Sequence, residues 1–309
     1  MATRTQNFIT RQYMLKRNFE IFRYRDNYLH EVALHHHDFY EVYLFVSGNV
    51  NYIIGSRNYS LMPGDVLLIS PMELHQPMFG PERQPYERYV LWIDKAFLQQ
   101  FALVNQDLTR CFDPTSPSHT NLIRLDSGSR QLLTYLLEQL IHEEQNGDYA
   151  ADLYCSACLV QAMVLLNRLA EHASETPELG DNANSVIYNV LEYINDHYHE
   201  DLSLDHLANR FFISKYHLSR EFNRIVGTSV YRYIIQKRLV IAKQMLSEGI
   251  PSTAVYQHCG FGDYSNFYRA FKSEYRISPK EFVTKLREDI LLGENPGREH
   301  KNEGAVSQR

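Results

Sequence analysis

The chain has 309 residues, 44% of them apolar, and a formal net charge of −6. That size excludes a small disulfide-stapled module and allows two domains with substantial cores; four cysteines, Cys111, Cys155, Cys158 and Cys259, do not make a disulfide framework. The acidity also excludes a uniformly basic coat, but charge is uneven: residues 1–184 carry 14 Lys/Arg and 22 Asp/Glu, whereas 210–243 carries eight basic residues and one acid, Glu221, and local charge decides which face meets phosphate.

The N-terminus has basic residues but no uninterrupted apolar stretch behind them, so no secretory signal is read. No uninterrupted apolar run of about 18 residues is read either, so no membrane span is expected. The expected location is the cytoplasm. Residues 8–110 read as one β domain. Val42–Val46, Val50–Ile54, Val66–Ile69 and Arg88–Ile93 are short runs rich in Val, Ile and Tyr. Gly48, Gly55-Ser56-Arg57-Asn58, Pro63-Gly64-Asp65 and Pro71-Met72 punctuate them, as in a sandwich or small barrel.

Residues 111–172 read as a helical dimerisation segment. A short helix is expected just before it, over Ala96–Val104, and Cys111–Asn121 is expected as a loop. Ser129–Gln145 is an amphipathic helix with a stripe of Leu132, Leu133, Leu136, Leu137 and Leu140. Charged residues at Leu133 and Leu137 would give monomers if that stripe is the dimer seam. Ala150–Glu171 is a second helix. Its Cys155-x-x-Cys158 pair lacks a second cysteine pair or a βαβ setting, so it reads as core. Residues 173–184 are a linker, 185–290 a helical unit and 291–309 a disordered tail.

His35-x-His37-x3-Glu41-x6-Gly48, followed by His75, resembles the cupin motifs, in which such residues are metal ligands. On one strand, residues 35, 37 and 41 share parity. Three readings stay open: a metal-dependent enzyme with ligands His35, His37, Glu41 and His75; a pocket for a small polar ligand; a purely structural barrel. Surrounding aromatics, Tyr40, Tyr43, Tyr52, Tyr59, Tyr86, Tyr89 and Trp92, favour the pocket. Its expected lining is His35, His37, Glu41, Tyr43, His75, Glu87, Tyr89 and Trp92. Alternation puts Glu87, Tyr89 and Leu91 on one face and Arg88, Val90 and Trp92 on the other, without saying which face is inside. No cofactor and no catalytic residue are expected.

Within 185–290, Ser203 and Ser214 are N-caps of two short helices, the second stopped by Gly227. Thr228–Glu248 is one long helix, with Tyr231, Ile234, Ile235, Arg238, Leu239, Ala242, Met245 and Leu246 on its buried or half-buried side. A second short pair follows around Cys259-Gly260-Phe261. Leu218/Phe222 and Phe267/Phe271, spaced i and i+4, face inward. This is a tandem helix-turn-helix pattern.

Leu204-x2-Leu207-Ala208, Ser214-x3-Leu218-x3-Phe222, Arg238-Leu239-x2-Ala242 and Gly260-Phe261-x-Asp263-x-Ser265-x-Phe267-x-Arg269-x-Phe271-Lys272, then Ser278-Pro279, resemble the AraC family of bacterial transcription regulators. Tyr256 and Arg276 depart from the small residue and the glycine usual there. The resemblance implies an α+β multidomain chain: an N-terminal cupin-like β-barrel with a helical dimerisation segment, and a C-terminal all-α domain with two helix-turn-helix units. It further implies a homodimer that binds double-stranded promoter DNA, works with RNA polymerase, probes a carbohydrate-like effector and activates transcription. The expected base readers are Tyr216, Ser219, Arg220, Tyr264, Ser265, Asn266, Tyr268 and Arg269. Lys215, His217, Asn223, Arg224, Lys237 and Lys272 are the expected phosphate contacts.

Overall fold

Alternating residues between 19 and 93 fold into two antiparallel sheets. The structure is a computed structural model that describes residues 12–291 except 28, 30–31, 81–83, 102–106, 117–118 and 173–185. The expected linker and residues 292–309 of the expected tail lie outside the described residues. Strands β1 (Phe19–Asp26), β2 (Tyr40–Ser47), β3 (Val50–Ile54), β4 (Arg57–Ser60), β5 (Asp65–Ile69), β6 (His75–Phe79), β7 (Tyr86–Ile93) and β8 (Leu122–Arg124) form. They order as β1-β7-β2-β5-β8 in a large sheet and β4-β3-β6 in a small one.

The large sheet is buried on both faces. Val42 and Leu44 of β2, Val66 and Leu68 of β5, and Tyr89, Leu91 and Ile93 of β7 pack toward the helices. Their neighbours Tyr43, Phe45, Leu67, Ile69, Val90 and Trp92 pack between the sheets. A two-residue period with both sets apolar is what a sheet covered on both sides requires.

Three helices follow or flank β8: α1 (Lys95–Gln99), α2 (Ser127–Asn146) and α3 (Ala151–His172). The Asp126 carboxylate caps α2 by accepting from the Gly128 and Ser129 N–H groups, and Gly147 ends it in the left-handed region. Leu133, Leu136, Leu137 and Leu140 are buried against the sheet and α3. The leucine stripe is therefore an intramolecular seam, so the condition of a dimer seam along it is not met; Leu132, at its edge, is 45% exposed. By length and composition alone α3 could cross a membrane. Here Cys155, Cys158, Leu159, Ala162, Met163 and Leu166 bury its apolar side in the same core. Burial pushes the Cys155 thiol up to about 11, so it stays protonated.

Several boundaries differ from the expected ones. Arg57 and Asn58, read as a turn, open β4. The helix expected over 96–104 is the shorter α1; residues 102–104 lie outside the described residues. The 111–172 segment is not wholly helical, because β8 pairs with β5. β8 is only three residues long, too short for a periodic signal.

The C-terminal unit contains α4 (Val186–His197), α5 (Leu204–Arg210), α6 (Lys215–Val226), α7 (Val230–Ser247), α8 (Ser252–His258), α9 (Tyr264–Tyr275) and α10 (Pro279–Leu291). Ser203 and Ser214 accept from the His206 and His217 N–H groups, as expected of N-caps. Leu218, Phe222, Phe267 and Phe271 are fully buried. Tyr231, expected on the buried side of α7, is 74% exposed, and Tyr233 fills the core instead; the two differ by about 200° around the helix. Tyr256 finds room by packing edge-on to Tyr264, ring centroids 5.9 Å apart.

Arg276 ends α9 at φ 61°, in the left-handed region that glycine occupies without a Cβ penalty. Its side chain is exposed. The left-handed cost of about 1–2 kcal/mol, offset in part by glycine's greater loss of freedom of about 0.5–1 kcal/mol, makes Arg276→Gly stabilising by about 0.5–1 kcal/mol, read as a higher denaturation midpoint; a lower midpoint would mean the guanidinium holds a contact worth more than the strain.

The small sheet faces the C-terminal unit. Leu34, Ile53 and Leu74 share a core with Ile187, Val190, Leu191, Phe222 and Val226. Gln76 Nε2 donates to the Val226 carbonyl at 3.0 Å. The Tyr233 hydroxyl donates to Asn195 Oδ1 at 3.2 Å and reaches the Gly55 carbonyl at 3.4 Å. The first helix-turn-helix unit is thus seated on the barrel.

Candidate functional site

A cavity of about 80 Å³ lies between the two sheets. His35, His37, Glu41, Tyr43 and Trp92 line it, as expected, with Tyr24, Tyr52, Tyr86 and Arg88 added. His75 stands against it, its ring 4.8 Å from that of His37 and 4.2 Å from that of His35. Only Glu41 of the first motif lies in a strand; His35 makes a single bridge to His75, and His37 precedes β2. Their convergence therefore comes from the loop entering β2, not from one strand's parity.

Glu87 and Tyr89, expected in the lining, face the other way. Arg23 binds Glu87 at 2.7 Å and Glu138 of α2 at 2.8 Å, and the Tyr89 hydroxyl donates to Glu138. These groups tie the large sheet to α2. The inward face of β7 is Arg88, Val90 and Trp92. Arg88 is the functional candidate that sequence reasoning missed, and its parity with Trp92 is the signal that could have found it. Its guanidinium pairs with Asp26 and lies over the Tyr24 and Tyr86 rings, 4.8 and 4.1 Å from their centroids.

The protonation pattern follows from partners. Nδ1 of His35, His37 and His75 stands 2.8, 2.9 and 2.8 Å from the carbonyls of Ala33, Phe39 and Glu73. A carbonyl only accepts, so each Nδ1 carries hydrogen and each neutral ring keeps its lone pair on Nε2. Burial holds His75 well below the ordinary imidazole value, with His35 and His37 adding to the effect. Burial alone would raise Glu41, but His37, His35 and Trp92 overcome it and leave the carboxyl below its ordinary value. Trp92 Nε1–H donates to Glu41 Oε2 at 2.8 Å. Burial also raises the Tyr43 and Tyr52 hydroxyls well above the ordinary phenol range, so both remain donors. The enclosed space thus offers hydroxyl donors, a carboxylate, imidazole lone pairs and a guanidinium among aromatic faces.

His36, between the two cavity histidines, points outward. Its Nε2 lies 3.3 Å from the Tyr275 hydroxyl at the end of α9. Beside it Lys243 Nζ of α7 lies 3.4 Å from Asp38 Oδ2. Burial, aided by Lys243, pushes His36 down to about 3, so it is a neutral partner.

The second candidate surface is formed by α6 and α9. Their inward phenylalanines fix which residues point out. Lys215, Tyr216, His217, Ser219, Arg220, Asn223 and Arg224 are exposed along α6. Tyr264, Ser265, Asn266, Arg269 and Lys272 are exposed along α9, with Tyr268 half-buried. Asp263 caps α9, accepting from the Asn266 N–H at 2.7 Å, and Arg269 Nη2 donates to Asn266 Oδ1 at 2.6 Å. Arg269 thus bonds within its own helix. Arg220 and Arg224 flank Glu221 at 3.3 and 2.8 Å, and Lys215 pairs with Asp205 at 2.7 Å. Exposed pairs of this kind are worth little and exchange readily for phosphate.

Lys237 is the exception. It is half-buried on α7, where burial lowers its pKa and Glu73 of the barrel and Asp196 pull it back. It belongs to the contact between domains, which corrects its reading as a phosphate contact. The α7 helix, at about 27 Å by its 1.5 Å rise per residue, separates the two units.

Comparison with known proteins follows the same division. Residues 18–163 match the AraC-like ligand binding domain family, and residues 207–285 match a helix-turn-helix domain family. The chain is similar to the HTH-type transcriptional activator RhaS of Enterobacter sp. (strain 638), 27% identical over 248 residues that span 80% of this chain and 86% of that one. RhaS of Escherichia coli O157:H7 (strain EC4115 / EHEC) is 25% identical over the same shares. Among solved structures, ToxT from Vibrio cholerae O395 bound to (E)-4-(8-methylnaphthalen-1-yl)but-3-enoic acid is 12% identical, spans 87% of this chain and 100% of its own, and has a TM-score of 0.37. An AraC-type regulator from Chromobacterium violaceum is 24% identical over 33% of this chain and 91% of its own, with a TM-score of 0.31. Both structures are too distant to inform the geometry.

Proposed function

Because the chain belongs to the AraC family of bacterial transcription regulators, we propose that it activates transcription as a homodimer under the control of a small polar effector of carbohydrate type held in the barrel. The activator role is supported by the RhaS relatives; the sugar class is supported by the cavity's hydroxyl donors and aromatic faces, and its volume of about 80 Å³ has to widen to take a sugar ring. No catalytic step is assigned. RNA polymerase is the partner of the bound activator. The dimer uses the outer side of the α2–α3 pair, where Leu132, Tyr135, Leu153 and Tyr154 are exposed together on two adjacent helices.

One observation carries the control step. His35 and His37 line the cavity, and His36 between them touches Tyr275 of the second helix-turn-helix unit. An effector that moves this tripeptide changes the contact and shifts the population of DNA-competent placements.

DNA readout is tested through three variants. Arg220→Ala and Arg269→Ala should each cost about 1–3 kcal/mol on a specific duplex and relax preference at one base position. Lys237→Ala should leave the salt dependence of affinity unchanged, because it releases no phosphate counterion. Titrations at several salt concentrations give both quantities. A flatter salt slope for Lys237→Ala, or uniform losses across sequences for both arginine variants, would overturn the assignment.

A further inference from the structure

The geometry points to a divalent transition-metal site inside the barrel, formed by His37, His75 and Glu41. One donor atom from each lies within 4.8 Å of the other two, and all three side chains are buried. Among the described residues, Nε2 of His37 and of His75 have no hydrogen-bond partner. Leaving buried polar atoms unpaired is costly, so two together in one place call for a ligand. His37 Nε2 stands 3.2 Å from Glu41 Oε2, close but not aligned for a hydrogen bond.

The donor chemistry selects a cation. With Nδ1–H committed to backbone carbonyls, both rings present Nε2 lone pairs to the same space. When both rings are neutral, these two lone pairs and the Glu41 carboxylate face one another, and a cation is a centre that satisfies all three. Histidines that bind metals are oriented in this way, by a second-nitrogen hydrogen bond to a carbonyl. Glu41 has its own orienting partner, the Trp92 N–H. Metal–nitrogen and metal–oxygen bonds of about 2.0–2.1 Å at tetrahedral angles set donors roughly 3.3 Å apart. The His37–Glu41 separation already meets that spacing, and His75 needs to approach by no more than about 1.5 Å, the difference between 4.8 Å and that value. An N2O donor set suits Zn²⁺ and its first-row neighbours over Mg²⁺ or Ca²⁺. The set has three protein donors, so further positions remain for solvent or an oxygen ligand.

The chain's one tryptophan is Trp92, so its emission reports directly on Glu41. Full-length protein is stripped with chelator and titrated with Co²⁺ alone, then with Zn²⁺ as competitor. The expected result is quenching of Trp92 that saturates at one equivalent and is reversed by Zn²⁺. Equilibrium dialysis against Zn²⁺ should show affinity falling at least about 100-fold in His37→Ala and in His75→Ala, since even outer-shell partners of metal ligands are worth 10–100-fold. Trp92→Phe should weaken Zn²⁺ binding about 10-fold by releasing Glu41, and it remains decisive if either histidine variant fails to fold by circular dichroism. His142→Ala disrupts the exposed cluster His142, Glu143 and Asp148 and should change nothing at the quenching site. No saturable Co²⁺ quenching in folded protein, full Zn²⁺ affinity in Trp92→Phe, or loss of binding in His142→Ala alone would each overturn the site. DNA binding measured on the same preparations tests the regulator reading separately, since α6 and α9 contain none of these residues.

Discussion

Gly260→Ala should unfold or detach the second helix-turn-helix unit. Gly260 sits at φ +76°, and a Cβ there would stand 2.6 Å from the His199 carbonyl oxygen and 2.8 Å from its carbon. The left-handed backbone costs a residue with a Cβ about 1–2 kcal/mol, and overpacking adds about 1–3 kcal/mol. The obstacle is backbone, so no rotamer change relieves it. His199 itself is poorly free to retreat, because Arg238 holds the carbonyls of Tyr198 and Glu200 on either side at 2.8 and 2.7 Å. Hydrogen exchange along α8 and α9 should rise sharply, and affinity for a two-element site should fall to that of the first unit alone. Unchanged protection in α9 would show that the turn has room the geometry denies it.

Leu137→Asp should destroy the sensor domain and not merely split a dimer. Leu137 is fully buried in the apolar core between the large sheet and α3. An uncompensated buried charge costs several kcal/mol, about 4 or more at the severe end of single substitutions. Near-ultraviolet circular dichroism should lose its aromatic signal. Leu153→Asp is the contrasting lesion: Leu153 is 72% exposed on α3, so the domain should stay folded while sedimentation shows monomers. A folded, monomeric Leu137→Asp protein would return the dimer seam to the leucine stripe.

The two lesions show where the sequence is informative. The stripe on α2 was legible as a buried face, because a 3.6-residue period states that a face is covered. It does not state by what, and the cover is the chain's own sheet. The helix-turn-helix pattern was legible in more detail, since caps, left-handed stops and i, i+4 phenylalanines are local features. On β7 the alternation separated two faces correctly but not inside from outside, because both faces are apolar-rich and both are buried. That ambiguity misplaced Glu87 and Tyr89 and hid Arg88. Contacts between domains left no local trace: Gln76 meets Val226 across 150 residues, and Lys237, basic among basic residues, faces the barrel. Charge runs identify a surface only after packing has removed some of their members.

Two helix-turn-helix units, spaced by α7, are proposed to read DNA together. Selection of bound duplexes from a random pool by the full-length protein tests it most directly. The expected result is enrichment of two short elements about 10–10.5 base pairs apart, centre to centre, with Arg220→Ala relaxing one and Arg269→Ala the other. A pool that enriches no sequence, or one element insensitive to Arg269→Ala, would contradict it.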